Sequence, residues 1–122
     1  MSQQKLPPEV QQTLISYQTL RETYAKIEAE LKIVESELAE IEQILSNIKD
    51  LPEDAEIYKL IGHVMVKKKK DDIVKELEEK KELLEIKKTK YKNQLDMLAK
   101  QISDTESKLK ELLSKYGMSI GQ

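Results

Sequence analysis

The sequence predicts a mostly α-helical fold, a long antiparallel two-helix coiled coil with one β-hairpin at its base. Three observations carry this. Apolar residues recur in strict heptads along two arms, the heptads of one arm match those of the other when the chain folds back, and two short β-branched runs flank Gly62-His63 between the arms.

The first arm visits Val10, Thr13, Tyr17, Leu20, Tyr24, Ile27, Leu31, Val34, Leu38, Ile41, Leu45 and Ile48 by alternate steps of three and four, and only Thr13 is not apolar. A seven-residue repeat held this long is a coiled-coil seam, not the broader stripe of a globular helix. Pro7 and Pro8 open the helix, since proline's missing N–H is no loss in a first turn, and Pro52 bounds its far end.

The second arm runs through Val74, Leu77, Lys81, Leu84, Lys88, Tyr91, Leu95, Leu98, Ile102, Thr105, Leu109, Leu112 and Tyr116. Asp71 or Asp72 is the expected N-cap and Gly117 the expected stop. Folding the arms together pairs Ile48 with Val74, Leu31 with Tyr91 and Val10 with Leu112, and twelve layers match without a slip. This predicts one intrachain hairpin of helices, each roughly 60 Å long at about 1.5 Å per residue. Lys81 and Lys88 are expected to lay their alkyl stems along the seam and lift their ammonium groups into water.

Between the arms, Ile57–Ile61 and Val64–Lys67 read as strands joined by a two-residue type II′ turn with Gly62 first. Pairing Ile61 with Val64 and Leu60 with Met65 puts Ile57, Ile61, Val64 and Val66 on one face and Tyr58, Leu60 and Met65 on the other. One face can rest on the chain's own helices. The other is left in water, and both strand edges offer unpaired backbone groups, so the hairpin asks for other chains. Off the seam, Ile44, Ile73, Leu83 and Ile86 gather near the hairpin, where packing between subunits would cover them. Leu6, Leu14, Ile15, Leu113, Met118 and Ile120 gather at the free tip, where the chain's own fold is expected to leave them uncovered; Ile33 and Met97 belong to neither group. The single domain of residues 1–122 thus divides into an N-terminal helix over 8–50, a linker and hairpin over 51–70, a second helix over 71–116 and a tail over 117–122.

Composition narrows the function. Charged residues make up 36% of the chain and aromatic residues 4%, with no Phe or Trp, which is too little bulk for the wide core of a compact enzyme. A net charge of -2 lacks the footprint of a nucleic-acid binder, and the absence of cysteine excludes disulfides and thiol chemistry. No apolar run suits a membrane span or a signal core, and a cytoplasmic protein is expected. Lone His63 has no converging carboxylates for a metal, adjacent Glu78 and Glu79 point apart on a helix, and no phosphate loop or Ser-His-Asp set occurs, so catalysis is not expected. Lys67 to Lys70 is read as blunting an edge strand.

Taken together, the long helix, Leu51-Pro52, the run from Ile57 through Gly62-His63 to Lys67 and the second long helix resemble a beta-class prefoldin subunit. Alpha-class subunits carry two hairpins where this chain has one. The likeness extends over essentially the whole chain and is greatest to the archaeal type. It implies a prefoldin-like domain in a hexamer of two alpha and four beta subunits, whose hairpins join an oligomeric β-barrel platform. Such assemblies are holdases that use no ATP and no cofactor, capture non-native polypeptides at their coiled-coil tips and pass them to a group II chaperonin, in archaea the thermosome. By position, Ile57, Tyr58, Leu60, Ile61, Val64, Met65 and Val66 fall on the family's oligomerisation hairpin. Leu6, Val10, Leu14, Ile15, Leu109, Leu112, Leu113, Met118 and Ile120 fall where clients and chaperonin are met. The rival reading is a structural coiled-coil adaptor or tether, whose seams would themselves be the interface and which would have no affinity for denatured proteins.

Overall fold

In the computed structural model, which describes residues 6–118, the chain runs α1 (Pro8–Lys49), β1 (Ile57–Ile61), β2 (Val64–Lys68) and α2 (Lys70–Lys115). Pro8 is the first helical residue of α1, and the Gln11 amide closes the first turn on the Pro7 carbonyl at 3.0 Å. At the far end Pro52 disfavours helical geometry at Leu51, and the chain turns through Leu51–Ile48 and Ala55–Pro52 backbone bonds, each 3.0 Å. The Lys70 ammonium, at the start of α2, donates to the Leu51 carbonyl at 2.7 Å and the Lys49 carbonyl at 3.3 Å. A cation therefore satisfies the carbonyl of the last residue of α1 and one in the turn that follows it. Asp71 and Asp72 do not cap α2. The helix begins one residue before them, with the Ile73 amide bonded to the Lys69 carbonyl at 3.1 Å, and the two carboxylates sit in its first turn, where the helix dipole favours negative charge.

The chain divides into two compact units, a terminal unit of Met1–Glu30 with Tyr91–Gln122 and a hairpin unit of Leu31–Lys90. In the terminal unit Val10, Thr13, Leu95 and Leu109 are buried, and the other seam residues are half-buried except Tyr116, which is exposed. Thr13 fits the seam because its hydroxyl donates back to the Glu9 carbonyl at 2.7 Å, leaving its methyl group to pack. Tyr17 lies on the seam and reaches across to α2, its hydroxyl donating to Glu106 at 2.9 Å.

In the hairpin unit Val34, Leu38, Ile41, Leu45 and Ile48 form the buried line of α1. Lys81 and Lys88 are half-buried on the opposing helix and extend to α1 glutamates, Lys81 to Glu42 at 3.8 Å and Lys88 to Glu35 at 4.0 Å. Their stems line the seam and their charges leave it, as snorkelling requires. Ile73 departs from expectation: it is buried within the chain itself. The hairpin is the reason, because a cleft of about 240 Å³ is walled by Ile44, Ile48, Ile73 and Leu77 from the helices and by Ile57 and Tyr58 from β1. A Lys59–Glu76 ion pair fastens strand to helix beside it.

Candidate functional site

The hairpin pairs Ile57↔Lys68, Tyr58↔Lys67, Lys59↔Val66, Leu60↔Met65 and Ile61↔Val64, the predicted register. Gly62 has φ +60, while among the described residues none other than glycine has positive φ, which leaves His63 in the ordinary region. That combination belongs to a type II′ turn and excludes type I′, which needs positive φ at both central positions. The turn thereby fixes which side chains share a face.

Face by face, the strands differ in cover. Ile57, Lys59, Val66 and Lys68 are half-buried, and they share one face. Ile61 and Val64 belong to that face by register, yet both are exposed, because the helices cover the open end of the hairpin and not its turn end. On the other face Tyr58, Leu60 and Met65 stand in solvent, with Leu60 at 67% exposure. Tyr58 donates weakly to Glu56 at 3.3 Å and Lys67 lies 3.7 Å from the same residue, so only the margin of the face is polar. The sheet has two strands, and each keeps one edge without a strand partner among the described residues. Five exposed apolar side chains on ten strand residues beside two open edges form an interaction surface of the kind soluble monomers avoid.

At the start of α1 and the end of α2 the arrangement reverses the expectation of uncovered tips. Val10, Leu109 and Leu113 form a buried cluster, and Leu6, Leu14, Leu112 and Met118 pack against it. Of the tip residues named from the sequence, Ile15 alone among those described stands well exposed, at 58%; Ile120 lies outside the described residues. The cause is the way α2 ends. Gly117 takes φ +67, its amide bonds the Ser114 carbonyl at 3.1 Å, and the Met118 amide bonds the Leu113 carbonyl at 2.6 Å. These two bonds are a Schellman motif, and Met118 packs against the cluster that contains Leu113. The turn folds Met118 back over the cluster.

Glu9, which sequence reasoning passed over, joins the two helix ends. Its carboxylate accepts the Tyr116 hydroxyl at 2.8 Å and lies 3.7 Å from the Lys115 ammonium. The Tyr116 hydrogen bond, aided by Lys115, holds the Glu9 carboxyl below its ordinary range, and the same bond pushes the Tyr116 phenol up. A first-turn acid at the N-terminus of one helix facing a last-turn base and phenol of the next is the signal in the sequence that could have located it.

Among the described residues, no helix is long and apolar enough to cross a membrane.

A protein-family model described as prefoldin subunit matches residues 11–116, both helices and the hairpin included. The chain is 39% identical to prefoldin subunit beta of Sulfolobus acidocaldarius over 113 residues, 93% of this chain and 90% of the relative. It is 41% identical to prefoldin subunit beta of Saccharolobus islandicus over 119 residues, 98% of this chain and 94% of the relative. Among solved structures, the crystal structure of the prefoldin beta subunit from Thermococcus strain KS-1 matches with a TM-score of 0.82 at 31% identity, covering 91% of this chain and 97% of that one. Exposed hairpin, paired helices and near full-length identity agree, and the chain belongs to the beta class of the prefoldin family, whose members are chaperone subunits that assemble with other prefoldin subunits.

Proposed function

We propose that the chain is a subunit of a cytoplasmic, ATP-independent holdase, a hexamer of two alpha and four beta prefoldin subunits. It captures non-native polypeptides through its tip residues, prevents their aggregation and delivers them to a group II chaperonin, the thermosome in archaea. Neither nucleic acid nor membrane is a partner in this reading, and no cofactor or catalytic step takes part. The observation that carries it is the hairpin: Tyr58, Leu60, Ile61, Val64 and Met65 are exposed beside open strand edges, and strand addition from neighbouring subunits would bury those side chains and pair those edges together. Assembly then supplies what one chain lacks. A single Ile15 and a small apolar cluster bind an unfolded segment weakly, whereas several arms holding one client gain affinity from effective concentration without any new contact.

The test is aggregation of a chemically denatured protein diluted without ATP into the chain alone, into the chain with an alpha partner, and into the assembly carrying Ile15→Ser. Suppression that requires assembly and weakens with the substitution is expected. No suppression by a fully assembled hexamer would favour the structural adaptor.

A further inference from the structure

In the hairpin unit the seam of α1 is apolar throughout, from Leu31 to Ile48, whereas the seam of α2 carries Lys81 and Lys88 among its apolar residues. The two lysines stand one heptad apart. Their partners do too: Lys81 reaches Glu42 at 3.8 Å and Lys88 reaches Glu35 at 4.0 Å, and each glutamate directly follows a buried residue of the α1 seam, Ile41 and Val34. One register therefore makes both pairs at once. Stability does not account for the arrangement. All four side chains remain partly exposed, ion pairs in that setting contribute little, and an aliphatic residue at either lysine position would bury more apolar surface.

We propose that Lys81 and Lys88, with Glu35 and Glu42, decide which helix pairs with which: they direct α2 to an α1 and bar it from the α2 of a second copy of the chain. Such copies meet, because subunits of this family assemble, and arms held on one assembly face each other at high effective concentration. An α2–α2 pair would put four lysines into a length of seam that now holds two, and in the parallel arrangement each would face its own counterpart. An α1–α1 pair would keep its apolar seam but set carboxylates together on the flanks, Glu37 beside Glu42 in a parallel pair and Glu35 beside Glu42 in an antiparallel one. Pairing α1 with α2 halves the lysines in the seam and gives Glu35 and Glu42 a cation each. A lysine in a coiled-coil core position lowers stability and specifies the partner in this way. The inference needs neither client nor chaperonin, so it stands apart from the holdase reading.

The test is Lys81→Leu with Lys88→Leu in the full chain, which also carries Leu60→Ser and Met65→Ser so that association through the hairpin does not mask association through the helices. Its references are the same chain with both lysines, and that chain with Lys75→Leu and Lys100→Leu, an equal change of charge at exposed positions off the seam. Circular dichroism is expected to give the seam variant a higher melting temperature. Sedimentation at equal concentration is expected to give it about twice the mass of the lysine-bearing chain or more, with the off-seam control unchanged. An unchanged mass overturns the proposal. So does a lower melting temperature, since the ion pairs would then serve stability, and so does an equal gain of mass in the control, since added apolar surface alone would then be the cause.

Discussion

Glu9 and Tyr116 share one hydrogen bond, and that bond moves both proton affinities in ways that can be read from stability. The Tyr116 hydroxyl, with Lys115 behind it, lowers the Glu9 pKa from its ordinary 4.5; the Lys59 ammonium does the same to Glu76 in the hairpin unit. A carboxyl depressed in the folded state contributes stability that is complete above its unfolded value and is lost as pH falls through the native one. Tyr116 is raised from 10.0, so its contribution is complete below that value and is lost as pH rises through the higher native one. The melting temperature of the parent chain is therefore expected to drop further between about pH 5 and pH 3 than that of Glu9→Gln, followed by circular dichroism. Superimposable acid profiles would count against the bond. Burial sets a second contrast. Leu38→Ala is expected to cost about 2–5 kcal/mol, because Leu38 is buried on the seam. Exposed Ile33→Ala should stay within about 0.5 kcal/mol. Urea midpoints of the two variants measure the difference.

At the scale of elements, what sets the geometry locally was legible and what depends on a third element was not. Each helix writes its seam into its own period, so every seam position in α1 is buried or half-buried as the spacing requires, with Thr13 admitted by its own backbone bond. The hairpin register follows from Gly62 because a two-residue turn leaves no freedom in the pairing. Ile73 was misplaced for the opposite reason: its cover comes from β1, and nothing in the α2 pattern tells which side a hairpin will fold onto. The tip cluster was missed likewise. Gly117 was readable as a stop, but the consequence that Met118 returns over Leu113 arises from the two bonds of the Schellman turn, not from hydropathy. Lys70 looked like one lysine in a run, and its bonds to Leu51 and Lys49 appear only once the hairpin brings the chain back beside α1. The exposed face gives the element its own prediction. Leu60→Ser with Met65→Ser removes apolar side chains that touch solvent in the single chain, so helicity and melting of the helices should be unchanged while the assembly dissociates in sedimentation. Retained assembly would mean that the outer hairpin face is not its interface.

Across the whole molecule, the two candidate surfaces belong to different units of the chain, the hairpin to one and the tip cluster to the other. This makes assembly and capture separable by mutation but not in effect. Each tip offers a weak site, and weak sites become useful only when several act on one client, so binding must depend steeply on the number of arms held together. The Leu60→Ser, Met65→Ser variant, with its tip residues intact, is accordingly expected to lose nearly all suppression of aggregation at equal chain concentration. Light scattering of a denatured test protein would read this directly. Fusing that variant to an unrelated oligomeric scaffold of comparable valency should restore suppression, since avidity requires linked tips and not this hairpin in particular. If the dissociated chain protected clients as well as the assembly did, the arms would act singly, and the apolar hairpin face would need a purpose other than bringing them together.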